Sequence, residues 1–174
     1  MTAELKILSK SQKSRPYEFH EVEELAQALL AYMRHPQVEA QISKKHKLNA
    51  KSIEIQNILL KKADELGFKS EKKGLFNSSP TRRLRPDFYR SVGKSGVIME
   101  VERGKTIENN MDVLDIWKTH ICTDADYLFI VVPQIRSSAN GSRRFVYKQV
   151  CNRLEPFFQP ENYINVEAVF VFGY

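Results

Sequence analysis

Two stretches decide the fold: Val97-Ile98-Met99-Glu100-Val101-Glu102 and, downstream, Tyr127-Leu128-Phe129-Ile130-Val131-Val132. The second is continuously apolar. A strand reads that way when it is buried on both faces, inside a sheet covered by helices on both sides. The first is a strand whose side chains alternate between faces. Val97, Met99 and Val101 take the core face, while Ile98 shares the other with Glu100 and Glu102.

Working outward, the apolar period predicts a helix over about 110–122, with Val113, Leu114, Trp117 and Ile121 turned inward. Pro133 ends the apolar strand. Residues 134–142 read as a polar loop with a turn at Asn140-Gly141. A helix over about 143–155 buries Val146, Val150 and Leu154, and a strand over 164–172 follows. Upstream, Leu84 to Tyr89 is a short extended piece interrupted by Pro86, and Phe68 to Phe76 suggests a hairpin strand. A helix over about 50–66 carries the stripe Ile55, Leu59, Ala63 and Leu66, with Asn49 as N-cap and Gly67 as its stop. Val22, Leu25, Ala26, Leu29, Tyr32 and Met33 mark a further helix over 21–34, stopped by Pro36. The basic segment 37–48 has no decided structure, and 1–19 reads as a loose arm.

This order predicts an α/β fold: a mixed central sheet flanked by helices, with an N-terminal helical extension. The arm and extension span 1–48 and the core 49–174, compact as one domain overall.

The chain has 174 residues, enough for one domain with a real core. At 42% hydrophobic and 28% charged it is an ordinary globular composition. No run is long and apolar enough for a transmembrane helix or a signal peptide, so no membrane partner is expected. Cys122 and Cys151 make no disulfide framework, which predicts a reducing, cytoplasmic setting. No glycine-rich phosphate loop follows any strand, which argues against nucleotide-cofactor enzymes. Zinc-ligand spacing and Ser-His-Asp or Cys-His arrangements are also missing. Lysine and arginine number 27 against 21 acids, a net charge of +6. That balance favours a polyanionic partner.

Glu100 and Glu102 lie about 6.6 Å apart along one strand face. Two carboxylates so placed raise each other's pKa unless something compensates, and a divalent cation takes several oxygen ligands. Asp87 follows Pro86, thirteen residues before Glu100. A hairpin through 91–96, turning at Gly93 and Gly96, would set it beside Glu100. Arg82, Arg83, Arg85, Lys94, Arg103 and Lys105 surround these acids in sequence and suit a phosphodiester. Glu-x-Glu also fits a solvent-facing edge paired with Arg103 and Lys105. Asn109 and Asn110 read as caps of the following helix, or as contacts to a scissile backbone.

Pro86-Asp87, then Glu100-Val101-Glu102 on the next strand, then a helix and a buried strand, resembles the PD-(D/E)xK nuclease superfamily, the restriction-endonuclease-like fold. By motif the resemblance covers about residues 50–132, and by element order it extends to the C-terminus. It implies magnesium-dependent hydrolysis of phosphodiesters, with manganese able to substitute. Asp87 and Glu100 match the two metal-binding acids, and Glu54 on the first core helix is a candidate for a further helix-borne acid. The motif lysine is Glu102 here, which is expected to act as general base or as a further metal ligand. Lys105 or Lys118 can supply the missing positive charge. Arg82, Arg83, Arg85, Lys94, Arg103, Asn109, Asn110 and Lys118 are the expected nucleic-acid contacts. Double-stranded DNA is the expected substrate, cut by a homodimer with two symmetric sites. The alternatives are a binding module on the same fold without chemistry, and a structural protein with no nucleic acid.

Overall fold

A computed structural model describes residues 2–12, 14–47, 51–70, 85–103, 106–137 and 141–174. Its centre is a six-stranded sheet in the order β1-β8-β5-β4-β3-β2. The strands are β1 (Glu4–Ser9), β2 (Lys69–Ser70), β3 (Phe88–Val92), β4 (Ser95–Val101), β5 (Tyr127–Val132) and β8 (Ala168–Gly173). The neighbours β4, β5 and β8 run parallel, and the flanking pairings are antiparallel, so the sheet is mixed. Parallel neighbours require crossover connections. These are α4 (Met111–Ile121), between β4 and β5, and α5 (Val146–Leu154), between β5 and β8.

The two faces of the sheet carry separate cores. On one, Val97, Met99, Val101, Phe129, Phe170 and Phe172 pack against α1 (Pro16–Met33), α2 (Pro36–Lys45) and α3 (Ser52–Glu65). On the other, Ile98, Leu128, Ile130, Val169 and Val171 pack against α4 and α5. The alternation expected of β4 is therefore present: Met99 belongs to one core and Ile98 to the other. Burial on both faces is why β5 has no exposed position. The expected α/β class, with helices on both faces of a mixed sheet, is what the chain adopts.

Residues 1–19 are not a loose arm, because Glu4–Ser9 forms the edge strand β1 in register with Ala168–Gly173. Its sequence ELKILS is half polar because an edge strand has less to bury. Pro16 opens α1 rather than marking irregular chain, and Pro36 opens α2, which takes up the undecided basic segment. Proline suits the first helical turn, where its missing N–H would be an orphan in any case. The helix over 50–66 begins at Ser52, and its expected cap Asn49 lies outside the described residues. Of the expected strand 68–76, Lys69–Ser70 pairs with β3, and 71–84 lie outside the described residues.

The loop at 134–142 also differs: β6 (Arg136–Ser137) and β7 (Arg143–Arg144) pair as a short antiparallel ribbon. The inward face of α4 is not the apolar stripe expected of it. Leu114, Trp117 and Ile121 are exposed, while Asp112, Asp115, Ile116 and Thr119 are buried. Among the described residues no helix is long and apolar enough to cross a membrane.

Candidate active site

The β3–β4 hairpin brings the first acids together. Val92 pairs with Ser95 across a two-residue turn whose first central residue, Gly93, has φ 53°. A glycine there satisfies the positive φ that a tight hairpin turn demands. Register then runs to Phe88 opposite Met99, which leaves Asp87 beside Glu100 at the far end. The Asp87 amide donates to Glu100 Oε2 at 3.2 Å, and the Val101 amide donates to Asp87 Oδ2 at 2.8 Å. Each acid thus clamps the other's strand.

Glu102 lies just past β4. Its amide donates to Val131 O at 2.8 Å, extending the parallel ladder by one rung. Its side chain is half-buried, whereas Glu100 is only 4% exposed. The inward face of α4 completes the cluster. Lys118 Nζ donates to Glu100 Oε1 and, at 3.2 Å, to Asp115 Oδ1. Four carboxylates, Asp87, Glu100, Glu102 and Asp115, thereby interact around one ammonium.

Burial is the main reason Glu100, Glu102 and Asp115 resist ionisation. Glu102 is pushed up to about 7, by burial first and then by the charges of Glu100 and Asp87, with Lys118 opposing. Glu100 and Asp115 also rise well above the ordinary carboxylate range through burial. The charge of Asp115 adds to the rise at Glu100, and that of Glu102 to the rise at Asp115. Burial works against the Lys118 ammonium, but Glu100 and Asp115 outweigh it and raise its pKa. Neighbouring Asp112, fully buried, has its own cation: Arg153 Nε lies 3.1 Å from Asp112 Oδ2.

Asp87 and Glu100, expected to meet from sequence, do so through the two backbone-to-carboxylate hydrogen bonds, and the charges of both act on Glu102. Lys118 joins them as the cluster's cation. Glu54 takes a different partner, an ion pair with Lys45 at 3.2 Å on the surface. Lys94 sits in the β3–β4 turn, at the opposite end of β4 from Glu100. Arg103 is only 7% exposed, and its guanidinium donates to Lys47 O. Asn110 holds the N-cap position of α4 at φ 54° without a capping bond, and its Oδ1 accepts from Arg153 at 2.6 Å. Arg85 and Asn109 are exposed. Arg82, Arg83 and Lys105 lie outside the described residues.

Sequence reasoning missed Asp112 and Asp115. Their signal was the spacing Asp112, Asp115, Lys118, three residues apart each time, which forms one stripe on a helix. The apolar stripe Leu114, Trp117, Ile121 has the same helical spacing and competes with it for the buried face.

The donor set suits a hard divalent cation, which prefers carboxylate oxygens. Asp115 Oδ2 is buried and has no hydrogen-bond partner among the described residues. As placed, no group of three or more His, Cys, Asp or Glu among the described residues has metal-holding geometry. A cleft of about 200 Å³ opens beside Asp87, lined in part by Gln56, Asn57 and Ser70. Comparison of the chain with protein-family models and with curated proteins finds no match.

Proposed function

We propose that this chain is a divalent-metal-dependent endonuclease that hydrolyses nucleic-acid phosphodiesters, with double-stranded DNA as substrate and magnesium as its ion. The single observation that carries the reading is the convergence of Asp87, Glu100, Glu102, Asp115 and Lys118 at one end of β4. A structural ion pair needs one acid and one base. This cluster buries several acids that burial alone makes costly, and such groups concentrate where chemistry is done.

Asp87 and Glu100 would hold the ion. Bound magnesium would polarise the phosphoryl oxygen and lower the pKa of the attacking water. Glu102, with a pKa of about 7, suits a general base at neutral pH. Its carboxylate takes the proton from water as the water oxygen bonds to phosphorus. The bond from phosphorus to the leaving oxygen breaks, and that oxygen takes a proton from solvent water. Lys118 supplies the positive charge that the motif position, here Glu102, does not, and it fixes the orientation of Glu100. Cutting both strands of a duplex is simplest as a homodimer. With Cys122 and Cys151 both buried free thiols, the reading suits a reducing, cytoplasmic compartment.

One observation favours a second reading, a nucleic-acid-binding module without turnover: Lys118 already neutralises Glu100 from within the chain. Cleavage of supercoiled plasmid and labelled oligonucleotides, with magnesium, manganese or EDTA, separates the two. The nuclease reading expects metal-dependent cutting by the parent, lost in folded Asp87→Ala and Glu100→Ala. Binding without cutting under every metal supports the module, and cutting at parental rates by both variants sinks the proposed site.

A further inference from the structure

The β6–β7 ribbon carries more positive charge than its own stability can use. Arg136 lies directly opposite Arg144 in its register. Like charges facing each other across an antiparallel pair destabilise it. A ribbon of two rungs has little else to hold it. One carboxylate gathers the pair: Glu108 Oε1 accepts from Arg136 Nη1 at 3.0 Å and from Arg144 Nη1 at 2.7 Å. Arg143 is exposed on the adjoining rung and makes no ion pair among the described residues. Three guanidiniums against one carboxylate leave an excess of two positive charges. Glu108 also fixes where this charge sits. It lies in the connection from β4 to α4, between Glu102 and the acids of α4. The basic ribbon is thus tied to the loop that leaves the carboxylate cluster.

We infer that this ribbon is a backbone-gripping arm, in which Arg136, Arg143 and Arg144 bind phosphates of a nucleic acid flanking the carboxylate site. Guanidinium forks match phosphate oxygens in pairs. Glu108 is the internal counter-ion that holds the arginines together until phosphates replace it. The exposed ring of Phe145, next to Arg144, offers a base a stacking surface, which fits nucleic acid better than an acidic polypeptide. The inference rests on the nuclease reading for the class of partner, and not for hydrolysis.

The test is binding of labelled duplex and single-stranded oligonucleotides by fluorescence anisotropy, in EDTA, over a range of salt. Arg143→Ala should lower the slope of log affinity against log salt by about one, and Arg143→Ala with Arg144→Ala by about two. Glu108→Gln should act in the opposite direction and tighten binding, because it removes the competing carboxylate. Arg143→Ala breaks no ion pair among the described residues, so it remains informative even if the double variant unfolds. Slopes unchanged from the parent in both arginine variants overturn the inference. So does a parent that binds anionic vesicles or polyglutamate but neither oligonucleotide. If the arginine variants lose affinity while no metal supports cutting, the arm stands and the hydrolytic reading fails. If the parent cuts with metal while the variants bind as it does, the arm fails and the hydrolytic reading stands.

Discussion

Helices α3 and α4 flank opposite faces of the same sheet and obey opposite rules. The stripe Ile55, Leu59 and Ala63 of α3 is buried against the core, as its period implies. The α4 stripe of Leu114, Trp117 and Ile121 points to solvent, with Trp117 57% exposed. Its buried face is Asp112, Asp115, Ile116 and Thr119. Both faces of α4 have helical spacing, so periodicity alone cannot choose between them. Burying two aspartates instead of a tryptophan costs free energy unless partners are supplied. Lys118 and Arg153 supply them in part. The lesson is that an inverted helix marks where the molecule has given up stability to place charge.

The largest expected effect on stability is on the α3 side. Leu59→Ala leaves a cavity in the core and should cost about 2–5 kcal/mol in urea denaturation. The matched change on α4, Trp117→Ala, should cost about 1 kcal/mol or less despite the larger side chain. Equal losses in the two variants would erase the contrast.

The acids give the reverse pattern. Asp115 is raised from its ordinary 3.8 to about 7, first by burial. Between those values the folded chain holds a proton that the unfolded chain has released. Stability must therefore fall as pH rises through that window. Asp115→Asn should stabilise the metal-free protein by about 1–2 kcal/mol at pH 8, an estimate discounted for the relaxation and water penetration that follow burial of charge. The gain should fade towards pH 4. A thermal melt series across pH reads this directly, and a loss of stability at pH 8 would contradict it.

The smallest effect is expected at Glu54, the α3 acid that pairs with Lys45 on the surface. Glu54→Gln should change stability by about 0.5 kcal/mol or less and leave any cleavage rate within about twofold of the parent. A large loss of cleavage would bring Glu54 into the site after all.

Much of the fold was legible because β4 and β5 are unambiguous. An alternating strand and a continuously apolar one define a covered sheet, and Pro86-Asp87 followed by Glu100-Val101-Glu102 locates the end where the acids meet. Asp87 could be set beside Glu100 because a hairpin leaves few registers open. What was not legible depended on choices between physically similar options. Glu4–Ser9 is too polar to announce an edge strand until Ala168–Gly173 is known to need a neighbour. Asp112 and Asp115 look like a solvated face until Lys118 is seen reaching Glu100. Arg136 and Arg144 look like loop charges until the ribbon register sets them opposite each other over Glu108.

The most direct test of the carboxylate cluster is calorimetric titration of the parent and of Asp87→Ala with manganese near pH 7, in two buffers of different ionisation enthalpy. Acids that burial keeps partly protonated must give up protons to bind a cation. The account predicts that the parent takes up manganese with release of protons, seen as a buffer-dependent heat, and that Asp87→Ala does not. Manganese uptake by Asp87→Ala matching the parent, or no uptake by either, would contradict it.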